Sequence, residues 1–299
     1  MAKEILELVE VSPRDGLQNE PDIVSTANKL ALIDRILAAG FRRLEAGSFV
    51  SPKKVPQMAD GDAVFAGLPK REDATFIALA LNLRGVERAL AAGAKEINYV
   101  FCASDGFSIR NNGGTVEETF QVWAEAAALA KTGGALLSAT ISTAFGCPFD
   151  GEVAVSRIVE VAERCAAQDI FELALADTIG VAAPSDVRER FRAVKGAIPA
   201  RVRLRAHFHN TRNTALANAV AAVEQGVRVL DGSLGGIGGC PFAPGAAGNV
   251  ATEDLAYMFA RMGFDTGIDL DKAIDTAKFI SGVLGRATPG MVSRAPKWP

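Results

Sequence analysis

Short apolar runs rich in β-branched residues alternate with longer runs that carry apolar residues at helical spacing, from one end of the chain to the other. The short runs have the length of buried strands, and the longer runs have the pattern of amphipathic helices. The predicted strands are 5–11, 42–47, 74–81, 96–102, 135–142, 170–176, 201–208 and 228–233. The predicted helices are 26–39, 84–92, 116–131, 153–168, one that starts at Pro184 and ends before Gly196, one that ends at Glu224, 252–262 and 271–284.

This alternation predicts a parallel sheet whose strands are joined by helical crossovers. The 299 residues contain eight such units, with no linker and no low-complexity segment. We therefore expect a (β/α)8 TIM barrel with additional C-terminal helices, forming one catalytic domain over residues 1–299. An open doubly wound sheet is the structural alternative.

The composition excludes several classes of partner. The net charge of −3 and the pI near 5.6 provide no basic field, so neither nucleic acid nor a membrane is expected as a partner. The apolar runs are too short to cross a bilayer, and the charged start of the chain argues against a signal peptide. Four cysteines without a CxxC pair predict no disulfide framework and favour a reducing cytoplasm.

Polar residues lie where most of the predicted strands end. A TIM barrel carries its chemistry at the carboxyl ends of its strands, so these residues are the candidates for a site. They are Arg14 and Asp15 after strand one, Glu45 on strand two, Asp177 after strand six, His207 and His209 on strand seven, and Cys240 and Asn249 after strand eight.

His207 and His209 are the only histidines in the chain. Residues i and i+2 of a strand point to the same side about 6.5–7 Å apart, which suits two imidazoles that bind one ion. With Asp15 nearby, the mixed nitrogen and oxygen ligands favour Mg²⁺ or Mn²⁺. A zinc site that includes Cys240, and a hydrogen-bonded pair of histidines without metal, are the alternatives.

Arg14 follows an apolar strand directly and precedes a glycine, which favours a position in the barrel mouth over a surface ion pair with Asp15. A guanidinium there could stabilise an oxyanion such as a thioester enolate. The glycine-rich segment 235–249 is interpreted as a mobile lid, with a phosphate cradle or a plain flexible loop as alternatives. Cys240 within it would be a protonated thiol and could donate a proton.

Several longer motifs resemble the hydroxymethylglutaryl-CoA lyase family, a branch of the barrel metallolyases that also includes isopropylmalate and homocitrate synthases. They are VSPRDGLQNE at 11–20, EAGSFVSPKKVPQMAD at 45–60, FGCPFDG at 145–151, ADTIGVAAP at 176–184, HFHNT at 207–211 and GGIGGCPFAPGAAGNVATEDLAYM at 235–258. The last of these is similar to the signature cysteine loop of the lyases. The resemblance implies cleavage of 3-hydroxy-3-methylglutaryl-CoA to acetyl-CoA and acetoacetate, a reaction of leucine degradation and ketone-body formation.

The resemblance also implies roles for individual residues and a homo-oligomeric assembly. Asp15, His207, His209 and Asn249 would hold the divalent cation. Arg14 would stabilise the enolate, and Cys240 would be the acid on a closing lid. Asp15 is the leading candidate for the base that accepts the hydroxyl proton, with Glu45 or a bound water as alternatives. The remaining implied roles are the orientation of Arg14 by Glu45 and Asp177 and a contact of Asn111 with the CoA end of the substrate.

Some residues depart from the family pattern. The chain has HFHNTRNT at 207–214 where HCHDTYGQ is usual, Lys54 where a tryptophan is usual, and Asp105-Gly106 in place of a Glu-Leu type pair. Arg212 could accept a substrate carboxylate placed differently from that of hydroxymethylglutaryl-CoA. A lyase for another branched hydroxyacyl-CoA, such as citramalyl-CoA, is therefore the first alternative. A condensing synthase, which Cys240 argues against, and a barrel that only binds a ligand are the others.

Overall fold

The structure is a computed structural model, and it describes residues 3–239 and 248–296. Eight parallel strands close into a barrel in chain order, with β1 paired to both β2 and β8, so the predicted TIM barrel is confirmed. The strands are β1 Glu7–Glu10, β2 Arg43–Ser48, β3 Thr75–Ala80, β4 Glu96–Cys102, β5 Leu136–Ser142, β6 Glu172–Asp177, β7 Arg203–Phe208 and β8 Val229–Gly232.

Helices follow the strands and surround the barrel. Within the described ranges they are α1 Thr26–Ala38, α2 Gly61–Ala66, α3 Leu83–Ala91, α4 Asp105–Asn111, α5 Val116–Gln121, α6 Trp123–Thr132, α7 Val155–Ala166, α8 Pro184–Ala197, α9 Ala215–Glu224, α10 Thr252–Arg261 and α11 Leu270–Val283. The additional C-terminal helices are α10, which packs on β1 and β8, and α11, which packs on α1. Among the described helices, none has the length and apolar character needed to cross a membrane.

Local sequence signals account for most helix ends. The Ser25 hydroxyl accepts a hydrogen bond from the Asn28 amide at the start of α1. At the end of α1, Gly40 has a φ of +102°, which only glycine adopts readily.

The single helix predicted at 116–131 is wrong, because the chain leaves helical geometry at Val122 and forms α5 and α6. Trp123 packs on Tyr99 and Phe101 and donates its indole N–H to the Cys165 carbonyl. Such contacts with distant parts of the chain are not visible in the spacing of apolar residues. The short helices α2 and α4 were also not predicted.

The lower part of the barrel interior is charged. Side chains of alternate strands share a layer inside such a barrel, and branched apolar residues usually fill these layers. Here Arg43 of β2 donates to Glu96 of β4 and Glu172 of β6 at 2.5–2.9 Å, across the middle of the barrel. We call these three residues the floor network. All three are buried.

Candidate active site

A cavity of about 540 Å³ opens at the carboxyl ends of the strands. One wall is apolar and includes Val50, Leu79, Leu81 and Val100. The polar groups that line the rest include Arg14, Asp15, Gln18, Glu45, Lys54, Asn98, Arg110, Asn111, Thr140, Ser142, His207, His209 and Asp231. The cavity is therefore at the end of the barrel where the strand-end residues were predicted to meet.

Arg14 and Asp15 lie in a π-helical turn, Ser12–Gly16, that leaves β1 directly. The Gly16 amide donates to the Val11 carbonyl, which closes the wide turn and directs both side chains inward. Both side chains are buried, each about 7 % exposed. The segment after β8 passes very close to this turn. A Cβ on Gly238 would lie 2.8 Å from the Asp15 carbonyl oxygen and 2.5 Å from the Asn249 amide nitrogen, so only glycine fits there.

The Arg14 guanidinium is held between two carboxylates. Its Nε donates to Glu45 at 2.6 Å, and its Nη1 donates to Asp15. Asn98 donates to the other oxygen of Glu45 at 2.9 Å, which fixes that carboxylate. Burial alone would lower the pKa of Arg14, but Asp15 and Glu45 raise it, so the guanidinium remains charged inside the cavity.

Asp15, His207 and His209 bring one possible ligand atom each within 4.8 Å of one another. The Nε2 atoms of His207 and His209 lie 3.9 and 3.7 Å from the same Asp15 oxygen. Asn249 donates its amide to that oxygen at 2.7 Å, and its backbone pairs with that of His209. We call Asp15, His207, His209 and Asn249 the mouth cluster. The structure thus brings together four residues that the sequence predicts as metal ligands.

Two observations indicate that the mouth cluster fits a divalent cation. Within the described residues, the Asn249 side-chain oxygen and the His209 Nδ1 are buried without a hydrogen-bond partner, and a buried polar atom without a partner is costly. The second observation is the charge of the described barrel interior. Its buried ionisable groups, histidines apart, are the cations Arg14, Arg43 and Arg205 and the anions Asp15, Glu45, Glu96, Glu172 and Asp231. The two-charge excess of anions equals the charge of one divalent ion.

Asp15 is better suited to bind a cation than to accept a proton. Burial would raise its pKa, but Arg14 and the two histidines hold the pKa of this carboxyl well below its usual range. A carboxylate with so low a pKa is a weak general base. The prediction that Asp15 is the leading base is therefore not supported by its surroundings.

Asp231 of β8 was missed as a functional candidate. One of its oxygens lies 3.1 Å from His207 Nδ1, so the imidazole can donate there and present Nε2 to the mouth cluster. The signal was an acidic residue inside the otherwise apolar strand VLDG. Side chains alternate between the two faces of a strand, and this alternation directs Asp231 into the barrel.

Two buried carboxylates support the backbone around the cavity and were also missed. Glu10 accepts from the amides of Ser12 and Leu234, at the start of the π-helical turn and just after β8. Glu253 accepts from the Gly235 amide. Burial raises the pKa of Glu10 to about 7 and that of Glu253 to about 8. Both residues sit in apolar strand or helix patterns, where a single acid has no distinctive sequence signal.

The structure corrects the expected placement of two residues. Asp177 was expected to orient Arg14, but its carboxylate accepts from the Val181 and Ala182 amides and holds the loop after β6. Arg212 was expected near the substrate, but it is exposed and donates to the carbonyls of Ile179 and Gly180. Neither side chain is among the residues that line the cavity. The predicted orientation of Arg14 by Asp177 is therefore wrong, whereas a contact of Arg212 with a substrate carboxylate stays a prediction.

Asn111 lines the cavity and donates to Asn112. This placement is compatible with the predicted contact to the CoA end of a substrate, which stays a prediction. Cys240, the predicted acid, lies outside the described residues, as does most of the predicted lid at 235–249.

The sequence matches the HMGL-like family over residues 5–280. A (R)-citramalyl-CoA lyase from Chloroflexus aurantiacus is 43% identical over 302 residues, which cover 98% of this chain and 95% of that protein. The mitochondrial hydroxymethylglutaryl-CoA lyase of Homo sapiens is 41% identical over 290 residues, with 97% of this chain and 89% of that protein covered.

A solved structure of an HMG-CoA lyase from Acinetobacter baumannii, in complex with coenzyme A and 3-methylmalate, is similar over the whole barrel. The TM-score is 0.93 at 41% sequence identity, and the match covers 98% of this chain and 95% of that one.

Proposed function

The chain belongs to the HMGL-like family, and on this basis we propose that it is a lyase that cleaves 3-hydroxy-3-methylglutaryl-CoA to acetyl-CoA and acetoacetate. The observation that carries the proposal is the position of Arg14. Its guanidinium contacts Asp15, and Asp15 in turn faces His207 and His209 inside one cavity. An oxyanion-stabilising group and a candidate cation site are thus next to each other, as a retro-Claisen cleavage requires.

The reaction breaks the bond between C2 and C3 of the acyl group. The tertiary hydroxyl on C3 loses its proton and becomes the ketone of acetoacetate, while the electron pair moves to C2 and the thioester. Protonation of C2 then yields acetyl-CoA, so the protons balance. A divalent cation, Mg²⁺ or Mn²⁺, held by the mouth cluster would supply Lewis acidity toward the hydroxyl and carboxylate of the substrate.

The residues of the chain would supply the remaining chemistry. Arg14 would hold the enolate oxygen, because its guanidinium is charged and fixed by two carboxylates before substrate arrives. Glu45 lines the same cavity and is the carboxylate candidate for accepting the hydroxyl proton, with a water in the cavity as the alternative. Cys240 remains the proposed acid, and Asn111 the proposed contact for CoA.

A lyase for citramalyl-CoA is the second candidate function. It is supported by the citramalyl-CoA lyase relative, whose identity of 43% is no lower than that of the hydroxymethylglutaryl-CoA lyases. The cavity wall also carries a polar pair, Thr140 and Asn98, in which the threonine hydroxyl donates to the amide oxygen at 3.0 Å. A polar wall can discriminate between acyl groups that differ in the placement of a carboxylate or methyl group.

A cleavage assay on purified protein tests the proposal. It compares the two CoA esters with and without a chelator, for the wild type, Arg14→Gln and the surface control Arg188→Gln. We expect turnover of the preferred ester by the wild type and the control, and loss of turnover in Arg14→Gln or after chelation. No cleavage of either ester, or full activity after exhaustive chelation, would contradict the proposal.

We further propose that residues 1–299 act as one catalytic domain, that the enzyme works in the cytoplasm and that it forms a homo-oligomer. The cytoplasmic assignment is supported by Cys102, Cys147 and Cys165, which are free and buried within the described residues, as in proteins of reducing compartments. Sedimentation at several protein concentrations would test the oligomeric state. With hydroxymethylglutaryl-CoA as substrate, the reaction would serve leucine degradation and ketone-body formation.

A further inference from the structure

Arg205 of β7 is a fully buried arginine inside the barrel, with none of its surface exposed. It lies two residues before His207 on the same strand, so both side chains point to the barrel interior. Barrel interiors are usually filled with branched apolar side chains, and a buried cation needs compensating partners. The position of these partners indicates what Arg205 does.

The guanidinium lies between the floor network and the cavity. Its Nε is 3.3 Å from Glu172 below, and its Nη1 is 3.5 Å from Asp231 above. Its Nη2 is 3.5 Å from the Thr140 hydroxyl. Among the described residues, neither Nε nor Nη1 forms a hydrogen bond of good geometry, so the pairing is held by charge and packing.

The two carboxylate oxygens of Asp231 face different side chains, His207 and Arg205. One oxygen faces His207 Nδ1 at 3.1 Å, and the other faces Arg205 and has no hydrogen bond within the part of the chain that the structure describes. If the carboxylate rotated, the imidazole would lose the partner that directs its Nε2 toward Asp15. Arg205 opposes such a rotation because it attracts the second oxygen.

We propose that Arg205 is a positioning residue for the divalent-cation site, which it controls by holding Asp231 against His207. The inference rests on the proposed function only in taking the mouth cluster as the cation site. A guanidinium in a layer below a cluster of cation ligands would otherwise repel the cation. A purely electrostatic role and the positioning role therefore predict opposite effects of its removal.

The test is a Mn²⁺ titration of the full-length protein without substrate, with free Mn²⁺ measured by electron paramagnetic resonance. The variants are Arg205→Met, Asp231→Asn, the double variant, and Thr140→Val as a control that changes another neighbour of Arg205. Partners of metal-binding histidines typically contribute about 10–100-fold to metal affinity. We expect Arg205→Met and Asp231→Asn each to weaken Mn²⁺ binding about tenfold or more, and Thr140→Val to change it less than about twofold.

The double variant shows whether Arg205 acts through Asp231. Once Asp231 is replaced, removal of Arg205 should have little further effect on the dissociation constant. Unchanged or tighter binding in Arg205→Met, or an equal loss in the Asp231→Asn background, would overturn the inference while leaving the cation site intact. If the wild type itself binds no Mn²⁺, both the inference and the proposed cation site fail.

Arg205→Lys provides a second variant in case Arg205→Met does not fold. Lysine keeps the positive charge but cannot reach Glu172 and Asp231 at once with a planar fork. We expect this variant to bind Mn²⁺ several-fold more weakly than the wild type, with a thermal unfolding midpoint close to it. Wild-type affinity in Arg205→Lys would show that charge alone is sufficient and would overturn the positioning role.

Discussion

Both ends of the barrel interior contain buried charged side chains, but the two ends differ in how completely those side chains are hydrogen-bonded. In the floor network, Arg43 satisfies two carboxylates with four hydrogen bonds of 2.5–2.9 Å, and none of its described polar atoms is left without a partner. In the mouth cluster, His209 and Asn249 each keep a buried atom without a partner within the described residues. The floor is complete as it stands, whereas the mouth is arranged to accept another group.

This difference indicates that the floor network contributes mainly to the stability of the barrel and the mouth cluster mainly to its chemistry. Removing one partner from a saturated buried network leaves a charge unpaired and costs folding free energy. Removing His209 from the mouth cluster leaves Asp15 paired with Arg14, so it should cost ligand binding more than folding free energy. The following experiments test this division, from the largest expected effect to the smallest.

His209→Ala should remove cation binding almost completely. Residues that hydrogen-bond to a metal ligand typically contribute about 10–100-fold to metal affinity, and a direct ligand contributes more. We therefore expect Mn²⁺ affinity to fall on the order of 10³-fold. The unfolding midpoint of the chelated protein should fall less than in Arg43→Met, because no buried charge loses its ion-pair partner. Metal content by elemental analysis measures the first effect. Retention of one bound ion per chain would exclude His209 as a ligand.

Arg43→Met should lower the stability of the fold and leave cation binding nearly unchanged. It leaves Glu96 and Glu172 with fewer partners inside the barrel, which in buried ion pairs costs about 3–5 kcal/mol of unfolding free energy. Denaturant unfolding of the chelated variant measures this loss, and Mn²⁺ titration of the folded protein should show little change. A large loss of Mn²⁺ affinity with unchanged stability would contradict the division between floor and mouth.

Arg14→Gln should lower kcat about 10²–10³-fold, the usual effect of removing one donor to a developing oxyanion. Mn²⁺ content should be preserved, because Arg14 contacts Asp15 without being a ligand itself. Turnover within a few-fold of the wild type at saturating substrate would show that the guanidinium is not the oxyanion contact. Arg188→Gln, which removes an exposed arginine paired with Glu224 outside the cavity lining, is the matched comparison.

Glu253→Gln should change how stability depends on pH. Burial raises the pKa of Glu253 from 4.5 to about 8, so the folded state holds a proton that the unfolded state has lost. Stability from this group is therefore complete below about pH 4.5 and decreases as pH rises toward 8. The variant should lose this slope, a difference of a few kcal/mol across the range, because each pH unit between the two pKa values contributes about 1.4 kcal/mol. If the unfolding free energy changed by the same amount between pH 5 and pH 8 in both proteins, the raised pKa of Glu253 would be contradicted.

The sequence predicted the barrel because strand and helix periods are local. β4, for example, was predicted at 96–102 and spans Glu96–Cys102. The predicted ligands of the mouth cluster also came together, since a barrel gathers the ends of its strands at one face. The failures have a different origin. The break at Val122 depends on packing between distant segments. Asp177 accepts from two amides of the loop that follows it, and apolar periodicity does not encode such loop contacts either.

The charged interior shows the same limit. Glu172, Arg205 and Asp231 each follow an apolar residue, and Arg43 follows Arg42. Each of the four by itself resembles an ordinary strand residue that faces solvent. Only the closure of the barrel shows that their side chains point inward and pair across it. Alternation within RLRAHF was a usable signal, because it places Arg203, Arg205 and His207 on one face of β7.

A divalent cation held at the mouth cluster, as proposed above, would link the amount of folded enzyme to the supply of that ion. Any ion that binds the native but not the unfolded chain stabilises it by mass action, by about 2.7 kcal/mol when its free concentration is a hundred times the dissociation constant. A cell in which free magnesium or manganese falls would then lose this protein in two ways. Fewer molecules would be loaded, and the remainder would unfold more often and be cleared sooner by proteases.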